Sequence, residues 1–276
     1  MTALSEPDPS AGRREELARN LAEVRSRIGA ACAAAGRDPG EVTLIAITKT
    51  KPASDVLLLH ELALTDVGEN KDQEAAPKAA ACAAALRAEA RVGVDAGPPL
   101  RWHFVGQLQT NKSASVARYA DVVHSVDRVR LARALGAAVR KAGRDRASGG
   151  ELTCLVQVSL ALEAAADAAA EAAVDATGPA ARGGVPAGQL RQVAEAIEAE
   201  PGLVLGGIMA IAPLGVPPDQ AFAPLRSCSL VVREVRPEAT IISAGMSGDL
   251  EAAIGNGATH VRIGTALLGA RRPPVM

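Results

Sequence analysis

Aromatic side chains are nearly missing from this chain: two phenylalanines, one tryptophan and one tyrosine in 276 residues, about 1% of the total. That scarcity excludes the stacking platforms on which proteins hold single-stranded nucleic acid. A net charge of −1 at pH 7 leaves no basic face for a phosphate backbone either. The four cysteines, Cys32, Cys82, Cys154 and Cys228, form no CxxC pair. With only four histidines, scattered, there is no zinc-ligand spacing, and each cysteine reads as a small buried hydrophobe. No apolar run is long enough to span a membrane, and the polar start MTALSEPDPSAGRREE has no secretory character. The expected location is cytoplasmic.

What is present is a soluble globular composition, 48% hydrophobic, organised around one stretch, VTLIAITKTKP at 42–52. It is short, β-branched and closed by proline, the signature of a buried strand. Side chains alternate along a strand, so Thr43, Ile45, Ile47 and Lys49 share one face. A strand-end lysine alone reads first as one that snorkels to water. Lysines are only six of the thirty basic residues, however, and two of them, Lys49 and Lys51, stand here. A lysine amine in line with a buried face can be the nucleophile that forms a Schiff base with a carbonyl.

The remaining chain repeats one unit. After a tail at 1–13, expected to be disordered, residues 14–36 carry a helical stripe of Leu17, Leu21, Val24 and Ile28. Strands are expected at 42–49, ending at 70, and at 102–107, 121–126, 152–160, 204–211, 240–246 and 260–269, each followed by a helical stretch. Asp127 reads as the N-cap of the helix after the fourth strand. Residues 83–100 and 161–186 read as low-complexity insertions. Eight βα units at this length predict an α/β fold, a single (β/α)8 TIM-type barrel over 14–272 with an N-terminal extra helix. An open doubly wound sheet would more often carry a glycine-rich fingerprint after its first strand, where this chain has Lys-Thr-Lys-Pro.

In such a barrel the working groups gather at the strand C-terminal ends, and phosphates at loops seven and eight. SAGMSGDLEAAI places Ser247 before a helix, and GTALLG makes a second glycine-led turn with the Thr265 hydroxyl. A phosphate site opposite a strand-end lysine suggests a phosphorylated carbonyl compound bridging the two. By alternation Arg262 points into the barrel, to pair with a buried carboxylate or to face a ligand. His103 and His124, without metal partners, suit hydrogen-bonded core roles.

The motifs AITKTKP, VGENKDQE, WHFVGQLQTNK, HSVDR, GGIMAI, SAGMSGDLEAAI and VRIGTALLGAR, in this order, closely resemble the pyridoxal phosphate homeostasis protein family. Those proteins look like a stand-alone copy of the barrel domain of alanine racemase. The resemblance implies pyridoxal 5′-phosphate as cofactor, held by Lys49 as an internal aldimine and lined by Asn70. It implies phosphate contacts from Ser247, Gly264 and Thr265, with Met246 beside them and Arg262 against the pyridine nitrogen. It also implies a carrier rather than a catalyst, with apo-enzymes that depend on the cofactor as recipients; the absence of the racemase's second domain points to a monomer. Two departures stand out: Val67–Gly68 replaces the usual aromatic before GEN, and Glu163 with Arg182–Gly183 replaces a glutamate, lysine and glycine run.

A racemase is the rival expectation. It needs a second acid or base opposite the lysine, supplied in alanine racemase by a tyrosine of a partner's second domain. This chain ends at Met276 and its one tyrosine, Tyr119, falls in an expected helix. A cofactor-free Schiff-base aldolase would want carboxylates near the lysine, and only Glu69 is offered.

Overall fold

The computed structural model describes residues 9–95, 97–144, 150–160 and 183–270. Eight parallel strands close in chain order: β1 (Thr43–Ile47), β2 (Asp66–Glu69), β3 (Arg101–Phe104), β4 (Val122–Val126), β5 (Leu152–Val158), β6 (Leu203–Ala210), β7 (Ile241–Ser243) and β8 (His260–Ile263). Thr43 of β1 pairs with His260 of β8 and Ile45 with Arg262, which seals the ring. The expected barrel is therefore present; β4 ends at Val126 as expected, and the other seven strands stop short of their expected C-terminal ends. Of the residues expected at strand ends, Lys49, Asn70, Gln107, Met246, Ser247 and Gly264 lie beyond the ladder, while Ser125, Met209 and Arg262 stay within it.

The outer layer follows from periodicity. Helix α1 (Pro9–Ala34) buries Leu17, Leu21, Val24 and Ile28 against α9 (Leu250–Gly255) and α10 (Thr265–Leu268), as its stripe predicts. It begins at Pro9, taking in residues expected as tail, while 1–8 lie outside the described residues. The others are α2 (Ala53–Glu61), α3 (Asp72–Arg91), α4 (Ser113–Val116), α5 (Val129–Lys141), α6 (Leu190–Glu198), α7 (Pro218–Phe222) and α8 (Leu225–Arg233). Two apolar clusters fill the space between these helices and the sheet.

Several expectations change. The segment 83–100 is no separate insertion as far as Arg91, because α3 runs through it without a break; alanine is the best helix former and needs no stripe to continue a helix already packed. The helix expected over 218–235 divides at Pro224, which has no N–H to give to the ladder. Asp127 does not cap α5: the N-cap is Arg128, and the Asp127 carboxylate pairs with the Arg128 guanidinium instead. The insertion expected at 161–186 ends earlier, since Val185 is buried and bridges to Val158 of β5. Residues 161–182, with Glu163 and Arg182, lie outside the described residues. Among the described residues no helix is long and apolar enough to cross a membrane.

The barrel interior is not wholly apolar. Val122, Leu155 and Met209 make one small apolar cluster. Around it stand His103, His124, Ser243 and Arg262, all buried and joined by hydrogen bonds.

Candidate functional site

Lys49 sits in a turn that its neighbours pin from both sides. Just before it, the Thr48 carbonyl accepts from Lys78 Nζ at 2.8 Å, and the Thr48 hydroxyl donates to Glu69 Oε1 at 2.7 Å. Just after it, Thr50 takes φ +65 and gives its N–H to the Glu74 carboxylate. A threonine in the left-handed region costs on the order of 1–3 kcal/mol and persists only where its surroundings hold it. Lys78 supplies that hold, binding Glu69 at 2.6 Å and Glu74 at 2.9 Å as well. All three of its ammonium protons are thereby used. Burial pushes the Glu69 carboxyl above the usual range, against the pull of Lys78.

The Lys49 side chain is half-buried and makes no hydrogen bond or ion pair among the described residues. It lines a narrow cleft of about 50 Å³ with Ile47, Thr50, Gly264 and Thr265. That space takes little more than a water-sized group, so a larger ligand would lie across its lip. Lys51 lines the same cleft, but its Nζ is engaged, donating to the Ala270 carbonyl at 3.0 Å.

Ser247, in the β7 loop, approaches the turn that follows Thr265: its hydroxyl lies 3.5 Å from the Ala266 N–H, at the limit of a hydrogen bond. The helix it was expected to open starts later, at Leu250, with Asp249 as N-cap residue. The Asp249 carboxylate instead accepts from the Met246 N–H at 2.5 Å and closes the loop on itself, leaving the Met246 side chain exposed at the rim. Helix α1 clamps both loops, Arg27 donating to the Ser247 carbonyl at 3.0 Å and Asn20 to the Leu267 carbonyl at 2.9 Å.

Arg262 lies in the barrel floor, 5% exposed. It donates to Ser243 Oγ at 2.7 Å and to the Ala210 carbonyl at 2.9 Å. No carboxylate binds it among the described residues, so the ion-pair expectation is not met. Burial draws its pKa down to about 10. A buried guanidinium without an anion is costly, and it suits a ligand atom that accepts a hydrogen bond.

Asn70 is set apart from the lysine cleft. It lines a neighbouring cavity of about 200 Å³ with Gln73, Phe104, Gln107 and Lys112. Its backbone is fixed by Gly106, where a Cβ would stand 2.1 Å from the Asn70 carbonyl oxygen. The structure thus groups Lys49, Gly264 and Thr265, brings Ser247 to them through Ala266, sets Arg262 below in the floor, and places Asn70 to the side. Thr48, Glu74, Lys78 and Ser243 were not legible as site residues. The Glu74–Lys78 spacing of four on a helix was the one signal, and it reads equally as a surface pair.

A donor set of lone amine, hydroxyls, glycine-led turns and a buried cation fits a phosphorylated carbonyl compound. Comparison with known proteins agrees in kind. The family model described as alanine racemase, N-terminal domain, matches residues 14–272. A pyridoxal phosphate homeostasis protein of Mycobacterium tuberculosis is 43% identical over 263 residues, covering 94% of this chain and 95% of that protein. Its namesake in Escherichia coli is 34% identical over 259 residues, 93% of this chain and 97% of that one. The solved structure of PipY from Synechococcus elongatus with pyridoxal phosphate bound superposes with a TM-score of 0.67 at 28% identity. It is matched over its whole length, and 92% of this chain is covered. Alanine racemase of Corynebacterium glutamicum, at 14% identity and a TM-score of 0.57, shares the fold; 92% of this chain covers 60% of that one.

Proposed function

This chain belongs to the pyridoxal phosphate homeostasis protein family, and from that premise we propose that it binds pyridoxal 5′-phosphate through Lys49 and serves to hold and release the cofactor. The observation that carries the reading is the Lys49 amine, unpartnered among the described residues, beside Gly264 and Thr265. The cofactor brings an aldehyde that condenses with an amine and a ring that draws electrons. The protein's part is to fix the two ends. Ser247, Gly264 and Thr265 would hold the phosphate with N–H and O–H donors. Arg262 would offer the ring nitrogen a charged donor, and a guanidinium that keeps its own proton leaves that nitrogen unprotonated. A ring so held is a poor electron sink, which favours carriage over catalysis. Asn70 and Met246 would wall the site.

Among the described residues the one tyrosine, the residue type that does this in alanine racemase, is not placed to act as the opposing acid or base for racemisation. Tyr119 packs against the outer clusters on the helix side of the sheet, with its buried hydroxyl beside Asp72. Release to apo-enzymes that need the cofactor, by a monomeric protein in the cytoplasm, completes the reading. Transfer to an apo-transaminase and the mass in gel filtration test those parts.

The central test is chemical. Borohydride treatment of the loaded protein, followed by peptide mass mapping, should leave the cofactor on the peptide carrying Lys49 and in particular on that residue. An adduct on Lys51, or none, refutes the assignment.

A further inference from the structure

Five polar residues of the barrel interior form one continuous line. Asp66 Oδ1 lies 2.9 Å from His103 Nε2, and His103 Nδ1 lies 2.8 Å from His124 Nε2. His124 Nδ1 lies 2.9 Å from Ser243 Oγ, which in turn accepts from Arg262 Nη1 at 2.7 Å. Five residues from five strands (β2, β3, β4, β7 and β8) are joined, crossing the barrel. Asp66 stands at its foot, at the start of β2, where it borders a cavity of about 450 Å³ with Arg101, Asp121 and Thr153. Arg262 stands at the other end, in the floor of the proposed cofactor site.

We infer that this line is a hydrogen-bond chain with one direction, and that Asp66, His103, His124 and Ser243 are positioning residues that hold Arg262 as a fixed, charged donor. The inference rests on the cofactor reading above for what Arg262 faces, but the chain itself does not. Each link has a single proton to place. An ionised Asp66 can only accept, so His103 Nε2 carries its proton and His103 Nδ1 accepts. His124 Nε2 must then donate to it, leaving His124 Nδ1 to accept the Ser243 hydroxyl proton. Ser243 has given away its one proton and turns lone pairs to Arg262, which can only donate.

The opposite direction needs a protonated Asp66 or an imidazolium at His103. His103 is 1% exposed and His124 fully buried, with the cations Arg101 and Arg262 close enough to oppose a further positive charge. Burial and those cations hold both rings below the ordinary histidine range, while the hydrogen bond from His103 holds Asp66 below the carboxylate range against its own burial. A hydroxyl whose proton is already committed is the better acceptor, since successive bonds polarise one another. The guanidinium is thus set in one plane by Ser243 on one nitrogen and the Ala210 carbonyl on the other.

Two measurements test this. In protein with 15N-labelled histidine, with signals assigned through His103→Gln and His124→Gln, long-range proton–nitrogen spectra of the cofactor-free form should show both rings as neutral Nε2–H tautomers. They should stay so between about pH 6 and 8, where free histidine titrates. An Nδ1–H tautomer at either ring, or titration of either, overturns the directed chain. In the loaded protein, Ser243→Ala should weaken cofactor retention about tenfold, the worth of one hydrogen bond to a charged group, and shift the absorption of the bound cofactor. Ser243→Thr, which keeps the hydroxyl, should restore both. Asp66→Asn, at the foot of the barrel, should move the same readouts by a smaller amount in the same direction. Wild-type loading with unchanged retention and spectrum in Ser243→Ala and Asp66→Asn overturns the positioning role alone; a wild-type protein that takes up no cofactor overturns the reading beneath it.

Discussion

Lys78 Nζ donates to the carbonyl oxygen of Thr48 at 2.8 Å, one residue before Lys49 in the chain. A cation from helix α3 thereby sets the path of the backbone that delivers the candidate nucleophile. The carboxylates it gathers, Glu69 and Glu74, hold the Thr48 hydroxyl and the Thr50 N–H on either side.

Lys78→Met should therefore strand Glu69, which is 1% exposed, and destabilise the fold by about 3–5 kcal/mol, as loss of one partner of a buried pair does. Adding Glu69→Gln should return part of that loss, because the orphaned charge is gone. Denaturant unfolding of the two single variants and the double variant measures the coupling, and simple additivity would show that the pair is not a unit.

Ser247→Ala and Thr265→Ala should each weaken cofactor retention roughly ten- to a hundredfold, for one lost hydrogen bond to a phosphate of about 1.5–3 kcal/mol. The barrel should stay folded in both, since neither hydroxyl is in its core. Equilibrium dialysis gives the dissociation constants; unchanged values in both variants would put the phosphate elsewhere.

Gly106→Ala should push the Asn70 backbone away, because the new Cβ would stand 2.1 Å from its carbonyl oxygen. A loss of about 1–3 kcal/mol is expected, typical of overpacking against a rigid neighbour. Thermal unfolding that leaves the midpoint unmoved would mean that the loop yields freely.

Stability should fall as the medium is acidified below about pH 6.5, the unfolded histidine value. His103, His124 and His260 are all held below their ordinary range by burial, His260 to about 4. The unfolded chain then binds protons that the fold refuses, so their contribution is full above about pH 6.5 and is lost on the way down. Each costs about 1.4 kcal/mol per pH unit in that window. Glu69 opposes them with one raised carboxyl. Urea midpoints from about pH 8 to 5 should decline, more gently in His260→Gln; a flat profile contradicts the buried neutral rings.

With the cofactor bound and L-alanine supplied in deuterated water, chirality should persist. Tyr119 lies on the outer side of the sheet, and general acid–base help from an opposing group is typically worth about 10²–10⁴ in rate. Racemisation at rates on the order of 1 per second or faster would show that an opposing group exists.

The alternation of β-branched runs with helical stretches, and the stripe of Leu17, Leu21, Val24 and Ile28, determined the barrel and its N-terminal helix from the sequence alone. These are local periodicities, and burial of an apolar face admits few architectures for eight βα units. The identity of Lys49, Ser247, Gly264 and Thr265 as a candidate set was legible for a related reason, since strand-end and glycine-led turn chemistry is written in consecutive residues. Only the tertiary structure decided that Lys78 reaches back thirty positions to Thr48, or that Asp66, His103, His124, Ser243 and Arg262 form one line. In the sequence each of these is a polar residue in an apolar run, with no mark of its partner. Where a buried polar group must be satisfied, the partner is whatever the closed ring of strands brings within about 3 Å, and that distance is set by register and closure rather than by neighbours in the chain.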